Sequence, residues 1–366
     1  MVSGMPSLLD DLPALYRPLL PALGALDVPA ESKATCAKCA MAPGGSANAV
    51  ETVDGEPRFF RPDAKCCTYH PRMPNYLVGA LLADPRAELA EGQRRVRARI
   101  ASRLGVTPQW LRPPGLHQLM YDNARRAFGR SLTLRCPFFA VEQGNCTIWP
   151  FREAVCSTYF CRFLAGEDGR KMWTAVKRHI TLTEVHLSRW AVWQHAPELV
   201  LDAPDADKSP PVGPDELDGR PAPATDAAKV WGNFAGREEE LYRACFESVR
   251  ALSADEVARV LGFDAIVSLA EVQRRRESAL QTKRPATLRF NPATTVKWMP
   301  DGTVALGAYS ELEAVALPGN AYGILLAFDG RDPVAAVRER LRSEYGVDLD
   351  DPLLDLLYHH RVMIEP

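Results

Sequence analysis

Residues 136–161 read CPFFAVEQGNCTIWPFREAVCSTYFC. Its four cysteines, Cys136, Cys146, Cys156 and Cys161, are separated by nine, nine and four residues, with prolines and short apolar segments between them. Such spacing suits a loop that returns repeatedly to one site. Upstream lie a CAKC pair, Cys36 and Cys39, and a vicinal pair in KCCTYHP, Cys66 and Cys67. A C-x-x-C spacing lets two thiolates of one tight turn reach one metal ion or cluster. Neighbouring residues rarely both ligate one zinc ion, because their side chains diverge. The vicinal pair therefore points to two centres, or to one ligand beside a supporting thiol. Eight of the nine cysteines fall between positions 36 and 161, enough for two four-cysteine centres. Cys245 stands apart and reads as a buried free thiol.

The compartment decides how this pattern is read. The first residues, MVSGMPSLLDDLPALYRPLL, have no basic segment and meet Asp10 and Asp11 before any long apolar run, so no signal peptide is expected. No window reaches the roughly 18 uninterrupted apolar residues that a membrane span needs. The chain is expected to be soluble and cytoplasmic, where structural disulfides are rare and clustered cysteines bind metal or act chemically. Ligation of metal or a cluster is the leading reading, with thioredoxin-like dithiols and unrelated buried thiols as alternatives. Formal net charge is −2, from 44 basic and 46 acidic residues, so nothing points to nucleic acid or an anionic membrane as partner.

At 366 residues, 46% hydrophobic and 25% charged, the chain has the composition of a globular protein of about two to three domains. The expected fold class is α+β and mostly α. A loop-rich cysteine-cluster metal domain covers 1–203, a Pro-rich linker 204–225, a helical segment 226–284 and a small domain 285–366. Up to about residue 80 the sequence is rich in Pro, Gly and Cys with weak periodicity, and reads as loops folded around metal. Helices are expected over 84–104, 117–128 and 171–195. In the last, Trp173, Val176, Ile180, Val185, Leu187 and Trp190 line one stripe. The run Arg94, Arg95, Arg97, Arg99 and Arg103 reads as a solvated helix face. His179, His186 and His195 form no i, i+4 ligand couple. Residues 226–283 read as two or three helices, with Ser253 as an N-cap and Gly262 as a stop. From Ala286 short β-prone runs follow at 287–290, 295–299 and 303–308, with a turn at Pro300-Asp301-Gly302. Helical patterns at 321–328, 333–345 and 352–359 precede a final strand at 362–364.

The cysteine pattern resembles the YkgJ-like cysteine-cluster family, described as zinc- or iron-chelating. Cys36 with Cys39 matches its C-x-x-C, Cys66 with Cys67 its double cysteine, Cys136 with Phe138 its third element, and Cys146 with Ile148 and Trp149 its fourth. Arg152 and Cys156 match the last. Departures are the 26 residues between Cys39 and Cys66, Glu153 in place of a proline and Ser157 in place of an arginine. The resemblance covers roughly residues 33–165. It implies a metal site built from Cys36, Cys39, Cys66, Cys67, Cys136, Cys146, Cys156 and Cys161, holding an iron–sulfur cluster, 4Fe–4S in type, or Zn2+. Flagellin lysine methylases, similar in their cysteine pattern, are thought to carry an iron–sulfur cluster. One C-x-x-C plus scattered single thiols also suits clusters better than paired zinc knuckles. Tyr69, His70, Trp149, Phe151, Tyr159 and Phe160 flank the cysteines and are expected to shield the centre, with His70 a lesser ligand candidate. Glu142, Glu153 and Glu167 read as surface groups.

Residues 286–366 resemble a PqqD-like domain, a small winged helix of pathways that modify ribosomally made peptides. The matching stretches are LRFNP, ELEAVAL, ILLAFDGRDPVAAVRERLRSEYGV and LLDLLYHHRVMI. The resemblance implies a peptide or protein partner added as a strand at a sheet edge, with Val296, Trp298, Val304 and Leu306 as strand positions. A purely structural or dimerising wing is the alternative. Two functions stay open: a catalytic or redox cluster served by the wing, or a zinc-stabilised adaptor. No G-x-G-x-x-G, Walker loop, H-E-x-x-H or G-x-S-x-G occurs, so dehydrogenase, nucleotide hydrolase, metalloprotease and serine hydrolase chemistry have no basis in the sequence.

Overall fold

A 30-residue helix, Gly166–His195, organises the protein in the computed structural model. It describes residues 7–29, 31, 39, 41, 60–199, 201, 212–221, 224–281, 283–310 and 312–366. Cys36, and 204–211 and 222–223 of the Pro-rich stretch, lie outside the described residues. At 1.5 Å per residue the helix is about 45 Å long. Trp173, Val176, Ile180, Thr183, Leu187 and Ala191 recur every three or four residues and are all buried, which is the stripe its period requires. It begins five residues before the expected start, at Gly166, where φ is 51° and a Cβ would stand 2.1 Å from the His359 carbonyl oxygen.

Helices Glu238–Arg250, Ala254–Leu261 and Phe263–Gln281 pack against this stripe. Their Leu241, Tyr242, Cys245, Val249, Val257, Leu261 and Val272 join Leu8, Tyr16, Leu19 and Tyr76 in one apolar core. The helical segment after the Pro-rich stretch thus shares the core of the cysteine-bearing half, because each amphipathic helix must bury its apolar stripe on a partner. Ser253 caps its helix in a reciprocal box with Glu256, and Gly262 ends it at φ 66°. Cys245 is fully buried among these helices.

One helix departs from the reading of residues up to 80 as loops. Asn75–Ala83, sequence NYLVGALLA, is buried along nearly its whole length. A helix enclosed on all sides carries no polar face, so it has no period to read. Asn75 anchors it, its amide donating to the carbonyls of Pro108 (3.1 Å) and Ser188 (2.8 Å). The next helix, Ala90–Ser102, follows a short 3-10 turn, Ala87–Leu89. The one after it, Gly115–Asn123, is shorter than the sequence suggests.

The C-terminal residues build two antiparallel three-stranded sheets. Thr287–Phe290 lies between Met363–Ile364 and Asp329–Pro333, and Thr303–Gly307 lies between Thr295–Trp298 and Val315–Pro318. The Pro-Asp-Gly turn forms as expected, with Trp298 opposite Val304 and the Asp301 carboxylate accepting the Thr303 N–H at 3.0 Å. Asp329–Pro333 and Val315–Pro318 are strands the sequence did not announce; DGRDP has no apolar alternation and pairs through its backbone alone. Helices Gly319–Leu325, Val334–Tyr345 and Asp351–His359 cover a separate core of Leu288, Val304, Leu306, Phe328, Val337, Leu341 and Leu357. The protein is therefore α+β and mostly helical. No helix among the described residues is long and apolar enough to cross a membrane.

The two cores meet at the start of the central helix. Arg361 donates to both oxygens of Asp168 at 3.0 Å. Glu313 accepts the Phe163 N–H at 3.2 Å, while Glu31 accepts the Leu164 N–H at 2.7 Å and the Trp173 indole N–H at 3.2 Å. Burial pushes both carboxyls up to about 7. An acid whose pKa is raised by folding holds its proton more tightly folded than unfolded, so stability falls as pH rises from about 4.5, where the unfolded chain ionises, to about 7. Glu31→Gln or Glu313→Gln is expected to flatten the Tm-versus-pH curve across that window. A curve as steep as the parent's would show that these groups do not titrate abnormally. Gly79 gives a second test: a Cβ there would stand 1.9 Å from the Tyr242 carbonyl oxygen. Gly79→Ala is expected to cost roughly 1–3 kcal/mol or more in urea unfolding, since two helix backbones must separate.

Candidate metal centre

Cys66 and Cys67 sit in consecutive turns after Phe60. Cys67 N–H donates to Ala64 and Lys65 N–H to Arg61, and Lys65 takes a left-handed φ of 52°. This strained residue is held from the far side, where its ammonium donates to the Gly144 carbonyl at 2.6 Å. The Cys67 carbonyl accepts the Cys136 N–H at 2.7 Å, joining the vicinal pair to the quoted loop. Beyond it, Phe139–Ala140 pairs with Asn145–Cys146, placing Phe139 opposite Cys146. Arg95 braces this loop from behind, its guanidinium donating to Pro137 O at 2.7 Å, Phe139 O at 3.0 Å and the Glu91 carboxylate at 2.6 Å. Arg99 likewise turns inward to the carbonyls of Leu104 and Arg112. The arginine run is therefore a solvated face only in part, because loop carbonyls on the inner side need donors.

Cys156 is presented by a short helix, Ala154–Thr158, whose first N–H groups all end on carboxylates. Glu153 accepts Val155 N–H at 2.6 Å and Cys156 N–H at 3.0 Å, and Glu184 of the central helix accepts Ala154 N–H at 2.8 Å. Glu153 is 3% exposed and Glu167 is 9% exposed, so two of the three acids read as surface groups are buried; Glu142 is exposed. The capping role of Glu153 explains its burial, and Glu167 pairs with Arg170 and Lys171. Behind Glu184 lie two buried phenols, with Tyr16 donating to its carboxylate at 3.2 Å and standing 2.9 Å from Tyr76. Burial, and then Glu153, hold Glu184 well above the usual carboxylate range.

These segments form a partly open cavity of about 570 Å3 lined by Cys66, Cys67, Cys136, Cys146, Cys156 and Cys161. Tyr69, Trp149 and Tyr159 also line it, as expected of shielding aromatics, together with Tyr121, Asp122 and Phe128, which no sequence signal marked. Arg152 stacks on Trp149, 3.5 Å from the ring centroid, and donates to Cys156 O at 3.0 Å. His70, Phe151 and Phe160 do not line the cavity. His70 packs edge-on against His117 and Phe138, and Phe160 stacks on Trp173. Cys39 is buried beside Cys161, Met41 and Phe60. Cys66, Cys136, Cys156 and Cys161 are free thiols. Cys36 lies outside the described residues. Among the described residues, no group of three or more His, Cys, Asp or Glu side chains has the arrangement to hold one metal ion.

Cys136, Cys156 and Cys161 are electrostatically unlike isolated cysteines. Burial, and then Cys146, push Cys136 up; burial, and then Glu153, push Cys156 well up; burial, and then Cys66 and Cys39, push Cys161 up to about 12. In these three, neighbouring thiols add to the effect of burial, and a bound cation would reverse it by favouring the thiolates. Thiols are the donor type that a thiophilic metal or cluster takes, and the six that line the cavity are the candidates.

Comparison with known proteins adds no assignment to this geometry. No family model matches the chain. No curated protein matches it. No solved structure matches it.

Arg95 offers the most direct test of how the loop is held. Arg95→Met leaves the Pro137 and Phe139 carbonyls without their charged donor, and is expected to cost about 2 kcal/mol. It should also speed alkylation of Cys136 and Cys146. Unchanged alkylation rates would mean the loop is braced elsewhere.

Proposed function

We propose that this protein binds metal through the cysteines of the cavity, as an iron–sulfur cluster rather than as isolated zinc ions. The observation that carries the reading is the convergence of six thiols, from residues 66–67, 136–146 and 156–161, on one cavity. A zinc site closes four ligands around a single ion at about 2.3 Å. One C-x-x-C and scattered single thiols suit a polynuclear group of the 4Fe–4S kind better than paired zinc knuckles. The resemblance to YkgJ-like proteins supports metal binding, of zinc or of iron. Four thiols drawn from Cys66, Cys67, Cys136, Cys146, Cys156 and Cys161 would hold the group, which would supply electron-transfer or redox chemistry when bound. The chain's own contribution is to orient and shield: Glu153 and Glu184 fix the Cys156 helix, Arg95 fixes the Cys136 loop, and Tyr69, Trp149 and Tyr159 exclude water.

The C-terminal unit is proposed to be a PqqD-like winged helix that takes a peptide or protein substrate at a sheet edge. Thr295–Trp298 forms an edge of its sheet, and Trp298, 53% exposed, stands edge-on to Tyr322. An added strand would find backbone donors there and an aromatic pair for its side chains.

Anaerobic purification with absorption spectroscopy and analysis for iron, zinc and sulfide tests the metal reading. A brown protein absorbing near ~400 nm with matched iron and sulfide is expected; a colourless protein carrying one or two zinc ions would replace it with the zinc-adaptor reading. Cys136→Ser and Cys156→Ser should lower metal content and Cys245→Ser should not. Equal metal in all three variants would remove the ligand assignment.

A further inference from the structure

Five aromatic rings line the cavity beside the thiols: Tyr69, Tyr121, Phe128, Trp149 and Tyr159. Tyr69 meets Tyr121 edge to face, and Phe128 meets Tyr159 in the same way, each with ring centroids 5.6 Å apart. Such contacts leave ring faces clear of the partner ring, and Tyr159 is 36% exposed. A partly open space of about 570 Å3, with apolar walls and few polar groups, is what a small organic ligand requires. Two charged side chains line it, Asp122 and Arg152. Asp122 is exposed and accepts the Gln118 amide at 2.9 Å. Arg152 is half-buried and firmly placed: its guanidinium stacks on Trp149, its Nε donates to the Trp149 carbonyl at 3.1 Å and its Nη1 to the Cys156 carbonyl at 3.0 Å. Its Nη2 group makes no hydrogen bond or ion pair among the described residues. The surrounding charge has the same sign. Residues 60–165 include the whole lining and carry 16 Lys and Arg against seven Asp and Glu, in a chain whose formal net charge is −2. An anion is therefore favoured over a cation in this part of the molecule.

We propose that the cavity is the binding site of a small aromatic anion, its ring among Tyr69, Tyr121, Phe128, Trp149 and Tyr159 and its carboxylate, sulfonate or phosphate on the outer N–H groups of Arg152. The two parts reinforce each other. An oxyanion on an exposed, mobile arginine is held weakly. Here the guanidinium is already fixed by a ring and two backbone carbonyls, so little side-chain freedom is lost when it binds. The aromatic walls supply the apolar contact and lower the share of water around the charge. The inference rests on these walls and on Arg152, none of them a proposed metal ligand, so it stands with or without a bound metal.

The test is calorimetric titration of the full chain with three probes that share a ring system and differ in charge: naphthalene-1-sulfonate, 1-naphthalenemethanol and 1-naphthylmethylammonium. The sulfonate should bind once per chain and about tenfold tighter than the alcohol, with the ammonium weakest. Arg152→Gln should bring the sulfonate down to the level of the alcohol and leave the alcohol unchanged. Tyr121→Leu should weaken all three and keep their order, so the test stays decisive if Arg152→Gln does not fold. Equal affinity for the three probes would overturn the anion assignment. Preference for the ammonium would show that Asp122 sets the sign, and sulfonate binding that survives Arg152→Gln would place the ligand elsewhere; either result overturns the proposal. The titration is run on the protein as purified, with its metal content measured, and again after chelation. Sulfonate binding to both forms supports the site. Binding to the stripped form alone would overturn it for the metal-loaded protein and leave the metal reading standing, whereas a metal-free protein that binds the sulfonate would remove the metal reading and leave this one.

Discussion

Burial of the Gly166–His195 helix is the constraint to which the rest of the molecule is fitted. Its apolar stripe must be covered on several sides, and the chain supplies covers from far apart in sequence: residues 8–23, the Asn75–Ala83 helix and the three helices after residue 238. The same helix carries the groups that set its surroundings. Glu184 reaches the helix that presents Cys156, His179 meets Ser268 at 2.8 Å, Asp168 receives Arg361, and Gly166 admits the backbone of the C-terminal unit. Displacing it would disturb the cavity and the junction together.

The cavity is built by polar accounting around an apolar space. Three short segments bring the thiols in, and none is a long regular element that could hold itself. Their free backbone groups are therefore met by buried or half-buried polar side chains: Arg95 for the carbonyls of 137 and 139, Lys65 for that of Gly144, Glu153 and Glu184 for the first N–H groups of the Ala154–Thr158 helix. These bonds cost desolvation, and the acids show it in carboxyls held above their usual range. What they secure is geometry. A loop that must present several thiols to one space cannot also fray.

The junction between the two cores has a different character. It joins them by charge and close backbone approach, with Arg361 on Asp168 and Glu313 on Phe163, and by Leu312 on the small apolar cluster of Met41 and Phe60, rather than by one continuous core. Each core is complete without the other. Such a contact tolerates small adjustments more readily than a packed core does, which suits a unit proposed to receive a partner next to the thiol cluster.

Local signals in the sequence were enough to announce the long amphipathic helices, the Ser253 cap, the Pro-Asp-Gly hairpin, the final strand and the isolation of Cys245. Each is set by period, capping or turn chemistry within a few residues. The clustering of cysteines was legible as well, and six of them line one cavity. Tertiary structure alone decided that Asn75–Ala83 is a helix, that Glu153 and Glu167 are buried, that Arg95 and Arg99 turn inward, and that His70 stands away from the cavity. The physical reason is common to all of them. An enclosed helix, a buried carboxylate and an inward arginine are defined by the partner that covers or pairs with them, and those partners lie from a few residues to more than a hundred away along the chain.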